Sequence, residues 1–163
     1  MAEGEHIRLV VGEEFRRVVM ALRDMDASLP KELRKELRQA ARPLAQRAKD
    51  RVRAIPTRGR GHTGLRARVA RGVGIRAAVG RNPAVKITTS MTNPDEAAIP
   101  RGLDSPRGWR HPVFGNRNKW VSQHTYGPWF METMREGGDD IKRDVKQVMD
   151  EAANRVARAG GAS

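Results

Sequence analysis

The sequence predicts an α+β fold, and three observations carry that prediction. Stretches near both ends place apolar residues at helical spacing, two short β-branched runs flank a Gly-Arg-Asn-Pro turn, and the segments between are broken by proline and glycine. The expected architecture is two N-terminal helices, the second long and kinked, and a C-terminal helix, packed on a small, mainly antiparallel sheet with long loops. The 163 residues suit a single domain spanning 1–163. With 38% hydrophobic but only 4% aromatic residues, the core must be built mainly from Leu, Val, Ile, Ala and Met.

His6 to Val11 alternates, placing Ile7, Leu9 and Val11 on one face of a short edge strand or arm, and Gly12 ends it. Phe15, Val18, Val19, Leu22 and Met25 then fall at helical spacing, with Glu13 and Glu14 suited to the positive end of the helix dipole. Ser28-Leu29-Pro30 offers a capping hydroxyl and a first-turn proline for a helix over about Pro30 to Ala54. Its apolar stripe is Leu33, Leu37, Ala40, Leu44, Ala48, Val52 and Ile55, and Pro43 removes the bond to the Gln39 carbonyl, so a kink is expected there. The opposite face carries Arg34, Lys35, Arg38, Arg42, Lys49 and Arg53, which solvation alone explains.

Ile55 to Gly64 (IPTRGRGHTG) reads as a mobile loop, and residues 56–72 as a basic mobile segment. Leu65, Val69 and Val73 fit a short helix, while Ile75–Val79 and Val85–Thr89 fit a hairpin. Residues 91–108, with Pro94, Pro100 and Pro106, read as a Pro/Gly-rich extended segment. Six of the seven aromatic residues crowd into Trp109 to Phe130, the composition of an anchor. After Gly137-Gly138, Asp139 and Asp140 precede Ile141, Val145, Val148, Ala152 and Val156, the pattern of an amphipathic helix; residues 159–163 form a flexible tail. The expected core runs along Leu33, Leu37, Leu44, Val52, Val145, Val148 and Val156.

The net charge of +13 attracts polyanions, and it is uneven. Residues 1–60 carry 15 basic against 9 acidic side chains, residues 61–130 carry 11 against 3, and residues 131–163 carry 6 against 7, so the middle is the polyanion-facing candidate. Arg58, Arg60, Arg66, Arg68, Arg71, Arg76 and Arg81 are the strongest chemical signal, because guanidinium pairs with phosphate bidentately. Arg outnumbers Lys by 25 to 7 throughout the chain, so a GC-rich coding genome or a solvated surface also accounts for part of this segment.

Chemistry beyond charge is sparse. The absence of cysteine excludes disulfides, thiolate nucleophiles and Cys-containing zinc sites, and fits a reducing compartment. No apolar run approaches a membrane span, and the N-terminal residues do not resemble a secretion signal. The serines lack a Gly-x-Ser-x-Gly elbow, G-R-G-H-T-G lacks the Gly-Lys-Ser/Thr ending of a phosphate loop, and no cofactor is implied. His6, His62, His111 and His124 are too scattered for a metal cluster. His111, Asn116, Asn118 and His124 are reminiscent of His-Asn-His nucleases, without their spacing or an acidic ligand.

An ordered series of motifs nevertheless spans residues 7–156: IRLVVGEEFRRVVMALRDM, AARPLAQRAKDRV, HTGLRARV, the W-R-H-P-V-F-G-N-R segment, and P-W-F before the last helix. In this series the chain resembles the neck or tail-completion proteins of long-tailed bacteriophages, also filed as minor tail proteins. His111 to Arg117 with Trp120-Val121 and Pro128-Trp129-Phe130 most resembles the variant in phages of actinobacterial hosts. Other members carry a Tyr and a Glu-Phe-Gly-Thr strand here and a shorter loop before the equivalent of Thr63-Gly64-Leu65.

The resemblance implies a non-enzymatic virion protein, assembled in the host cytoplasm as a homo-oligomeric ring, a hexamer being one such order. The ring would join head connector to tail as a tail-completion or tail-terminator layer. Its partners would be other copies of itself, adjacent connector or stopper proteins, tail-terminator or tail-tube proteins, and genomic DNA in the lumen, with no membrane. Arg58, Arg60, Arg66, Arg68 and Arg71 are then the DNA-channel candidates, and Trp109, Phe114, Trp120, Trp129 and Phe130 the subunit-interface candidates. Two rivals remain: a sequence-nonspecific nucleic-acid-binding module and a His-Asn-His type endonuclease.

Overall fold

The computed structural model describes residues 6–10, 13–56, 64–80, 83–113, 116–123 and 127–161. In chain order they form β1 (His6–Val10), α1 (Glu13–Met25), α2 (Leu29–Ala40), α3 (Arg42–Ala54), α4 (Leu65–Gly72), β2 (Val73–Ala78) and β3 (Ala84–Thr89). A 3-10 turn (Pro94–Glu96), α5 (Ile99–Asp104), β4 (Trp109–Val113), β5 (Asn116–Gln123) and α6 (Phe130–Gly160) follow. The strands make a three-stranded sheet of order β1-β3-β2 and a separate β4-β5 pair, an α+β fold as the sequence predicts. The fold divides into two compact units, one built mainly from residues 46–74 and 88–136, the other from 7–45, 75–87 and 137–163.

In the second unit, α1 buries Phe15, Val19 and Leu22, and α2 buries Leu33 and Leu37, each pair of neighbours set three or four residues apart as a one-faced helix requires. Leu44, Val85, Ile87, Ile141, Val145 and Ala152 are among the other apolar residues that it buries. Of the expected core, Leu33, Leu37, Leu44 and Val145 are buried here and Val52 in the first unit, whereas Val148 and Val156 are half-buried. Ser28 does not cap α2 through its hydroxyl: it adopts helical backbone angles. Its N–H instead donates to Asp26 Oδ1 at 2.6 Å, a bond that lowers the Asp26 pKa. The long helix expected over Pro30 to Ala54 is two helices broken at Ala41, because Pro43 in the first turn of α3 has no N–H with which to continue α2. Arg155 on α6 grips Glu36 on α2 through two bonds of 2.9 and 2.8 Å, which lowers the pKa of Glu36 and raises that of Arg155.

The first unit departs further from expectation. Residues 65–72, which fall in the expected mobile segment but whose Leu65 and Val69 also fit a short helix, are the helix α4, entered from Gly64 at φ 65°, a left-handed conformation that glycine adopts without strain. The stretch 91–108 is not extended: it forms the 3-10 turn and α5, with Pro100, Gly102, Leu103 and Asp104 buried. Gly102 has to be glycine, since a Cβ there would press into the ring of Trp109. At Gly72, likewise, a Cβ would collide with the carbonyl oxygen of Ser90, whose N–H donates to Gly72 O at 3.0 Å.

The last helix begins nine residues before Asp139. Its N-terminus is capped from another element: the buried Asp104 carboxylate accepts the N–H of Phe130 on Oδ1 and that of Met131 on Oδ2 at 3.3 Å. This cap, with burial of Phe130, Thr133 and Met134, outweighs the roughly 1 kcal/mol that each of Gly137 and Gly138 costs inside a helix. Asp139 and Asp140 pair instead with Lys142 and Arg143 one turn on. The helix continues to Gly160, so residues 159 and 160 of the expected tail belong to it.

Candidate functional site

Two features stand out, one in each unit. In the second unit, burial of Leu33 and Leu37 fixes the rotation of α2 and leaves Arg34 and Arg38, each one residue further on, stacked a turn apart on a neighbouring face. On β2 and β3 the strand alternation that buries Ala77, Val79, Val85 and Ile87 sets Arg76 and Ala78 on one face of β2 and Ala84 and Lys86 on one face of β3. Arg34, Arg38, Arg76 and Lys86, with Ala77, Ala78, Val79, Gly80 and Ala84 between them, line an open groove of about 660 Å3. No acidic side chain lines it, and among the described residues none of its four cations has an ion-pair partner.

In the first unit, β4 and β5 pair antiparallel, with Trp109 opposite Gln123, Arg110 opposite Ser122 and Pro112 opposite Trp120, and a register shift between Pro112 and Val113. Residues 116–122 are all exposed. Trp120 is 49% exposed and Val121 43%, values that set them apart from the buried aromatics of the same sequence segment. Trp120 Nε1–H donates to Arg117 O at 2.6 Å, and the Arg110 guanidinium lies 6.0 Å from the Trp120 ring centre, so the indole is held in place rather than free to turn.

The expected site residues separate accordingly. Arg58, Arg60 and Phe114 lie outside the described residues. Arg66 donates to the Pro56 carbonyl at 2.8 Å. Arg68 makes an ion pair with Glu96, Nη2 to Oε1 at 2.8 Å, and so serves the fold of its own unit; Arg71 is exposed at the end of α4. Of the interface candidates, Trp129 (2% exposed) and Phe130 (0%) are core residues, their rings meeting edge to face at 5.4 Å, because Pro128-Trp129-Phe130 leads directly into the capped start of α6. Trp109 is half-buried over Gly102, and Trp120 alone of the described candidates is mostly available to a partner.

Sequence reasoning named Arg34, Arg38 and Arg76 but kept them in separate segments, and it passed over Lys86. The available signal was the i, i+4 arginine pair directly following an i, i+4 leucine pair. The side chain of His111 and all of His124 lie outside the described residues, and among the described residues no three His, Asp or Glu side chains gather as a metal set. Among the described residues no helix is long and apolar enough to cross a membrane. Compared with known proteins, the chain matches no family model, no curated protein and no solved structure.

Proposed function

We propose that the chain is a structural, non-enzymatic subunit of the neck of a long-tailed bacteriophage, a tail-completion or tail-terminator component that assembles with copies of itself into a ring around the DNA channel. The observation that carries this reading is the β4–β5 ribbon. A two-stranded sheet is marginal by itself, its outer edges carry backbone groups open to pairing, and this one holds a fixed, half-exposed tryptophan beside an exposed valine. Tryptophan is a favoured anchor because it buries a large area with few rotors. A second copy of the chain is the occupant that the ring reading requires. The motif series through His111 to Phe130 supports the same reading, since its most diagnostic part contains this ribbon.

Sedimentation of the purified chain, alone and with tail-tube protein, tests it. A mass several times that of one chain, lost in Trp120→Ser with the circular dichroism spectrum unchanged, is the expected outcome. A chain that remains monomeric in both settings, or a ring indifferent to Trp120→Ser, refutes the reading. The basic groove favours a second reading, a sequence-nonspecific nucleic-acid-binding module, which requires no ring.

A further inference from the structure

We propose that the groove between Arg34 and Arg38 of α2 and Arg76 and Lys86 of the β2–β3 hairpin is a binding site for the phosphodiester backbone of nucleic acid, engaged without reading bases. None of the described arginines of residues 58–71 lines the site, and it is a property of the single chain, so it stands whether or not a ring forms.

Arg34 and Arg38 sit at i, i+4, a like-charge spacing that destabilises a helix. Arg76 and Lys86 add two more positive charges to the same groove, and no acid lines it. Some cations elsewhere are neutralised by the fold itself, as in Arg155 with Glu36, Arg51 with Glu136 and Arg68 with Glu96. A groove left unbalanced is satisfied by an anion from outside.

The shape selects which anion. Four cations line a groove of about 660 Å3, more room than one small ion fills. Arg34 and Arg38 are about 6 Å apart along the helix axis, comparable to successive phosphates on one strand. Three of the four cations are arginines, whose planar fork matches phosphate oxygens. Between them the wall is Ala77, Ala78, Val79, Gly80 and Ala84, mostly small residues that let a backbone approach and present no side-chain donor or acceptor to a base edge. Nor does the wall offer a deep apolar pocket for the anchoring side chain that an acidic protein segment would bring.

The test is fluorescence anisotropy with the full chain and a labelled mixed-sequence duplex, over salt from about 50 to 200 mM. Four neutralised phosphates predict a log–log slope of affinity against salt of about −3.6. Arg34→Gln/Arg38→Gln should make that slope shallower by about 2 and weaken binding about tenfold or more at the lowest salt, with a scrambled duplex behaving like the first. Arg76→Gln/Lys86→Gln should do the same from the other wall, which guards against a folding defect in either variant. The charge-matched control is Lys142→Gln/Arg143→Gln, cations already paired on α6, which should leave the slope unchanged.

Equal losses in groove and control variants would reduce the effect to the general +13 field and overturn the proposal. Displacement of the duplex by inorganic phosphate beyond chloride at matched ionic strength would make the groove a small-anion site and also overturn it. A change of sedimenting mass in the groove variants with duplex affinity intact would assign the groove to an acidic protein surface instead. Duplex binding lost in the groove variants of a chain that never forms rings would uphold the groove and refute only the neck reading.

Discussion

Asp104→Ala is the substitution that most directly interrogates how this chain is held together. The Asp104 side chain is 3% exposed and takes the N–H groups of Phe130 and Met131, so the first turn of a 31-residue helix is satisfied by a residue 26 positions earlier. Alanine would strand the buried Phe130 N–H, at about 1–3 kcal/mol. It would also remove a negative charge from the positive end of the helix, worth about 0.3–2 kcal/mol. Met131 is 45% exposed, so water can recover part of its bond and that loss counts only fractionally. The sum is about 1–5 kcal/mol, which for a chain of this length lowers Tm by about 3–20 °C. Asp104→Asn keeps one oxygen acceptor without the charge and should lose about half as much. Urea titration and thermal melts followed by circular dichroism read both variants. A Tm unchanged in Asp104→Ala, or equal losses for alanine and asparagine, would show that the carboxylate does not cap α6.

Leu37 is fully buried on α2, and Leu37→Ala should cost about 2–5 kcal/mol by denaturant titration; an unchanged midpoint would remove it from the core. Glu36 has its pKa lowered by the Arg155 guanidinium, so its pair contributes stability above the unfolded value of about 4.3 and loses it as pH falls through the lower folded value. Both side chains are more than a third exposed, so solvent screening limits the contribution to about 0.2–1 kcal/mol. Glu36→Gln should therefore destabilise slightly at pH 7 and flatten the acid limb of the stability profile, and an acid limb identical to that of the parent would exclude the pair from it.

Helical periodicity made much of the fold legible, and the failures have local causes. The faces of α1 and α2 follow from Phe15, Val19, Leu22, Leu33 and Leu37, whose spacing admits one buried stripe. The β2–β3 hairpin was signalled by its β-branched runs and the turn between them. Pro43 signalled a discontinuity, which sequence spacing read as a bend and the structure resolves as two helices. The start of α6 was misplaced because Gly137-Gly138 is a strong local breaker signal, whereas the cap that overrides it comes from Asp104, invisible to any window along the chain. Tryptophans 120 and 129 belong to one aromatic cluster in sequence yet differ entirely in burial. Composition cannot make that distinction; placement on the exposed strand β5 or at the capped start of α6 does.

The groove was illegible for a related reason, and the distribution of acids explains why it exists. Residues 61–130 contain three carboxylates, Asp95, Glu96 and Asp104, against 11 cations. Glu96 is taken by Arg68, Asp104 by the N-terminus of α6, and Asp95 is exposed in the short 3-10 turn. In the last segment, Asp139, Asp140 and Asp150 bind Lys142, Arg143 and Lys146 along α6 itself, and Glu136 holds Arg51. On α2, Glu36, which stands between the two arginines in sequence, is held by Arg155. Several carboxylates are thus committed to ion pairs and to the cap of α6, and the more numerous cations remain in surplus. Counting charges by segment locates the surplus only to the middle of the chain. Its concentration at one place depends on α2 and the β2–β3 hairpin presenting Arg34, Arg38, Arg76 and Lys86 to the same groove, a property of the fold that no segment carries alone.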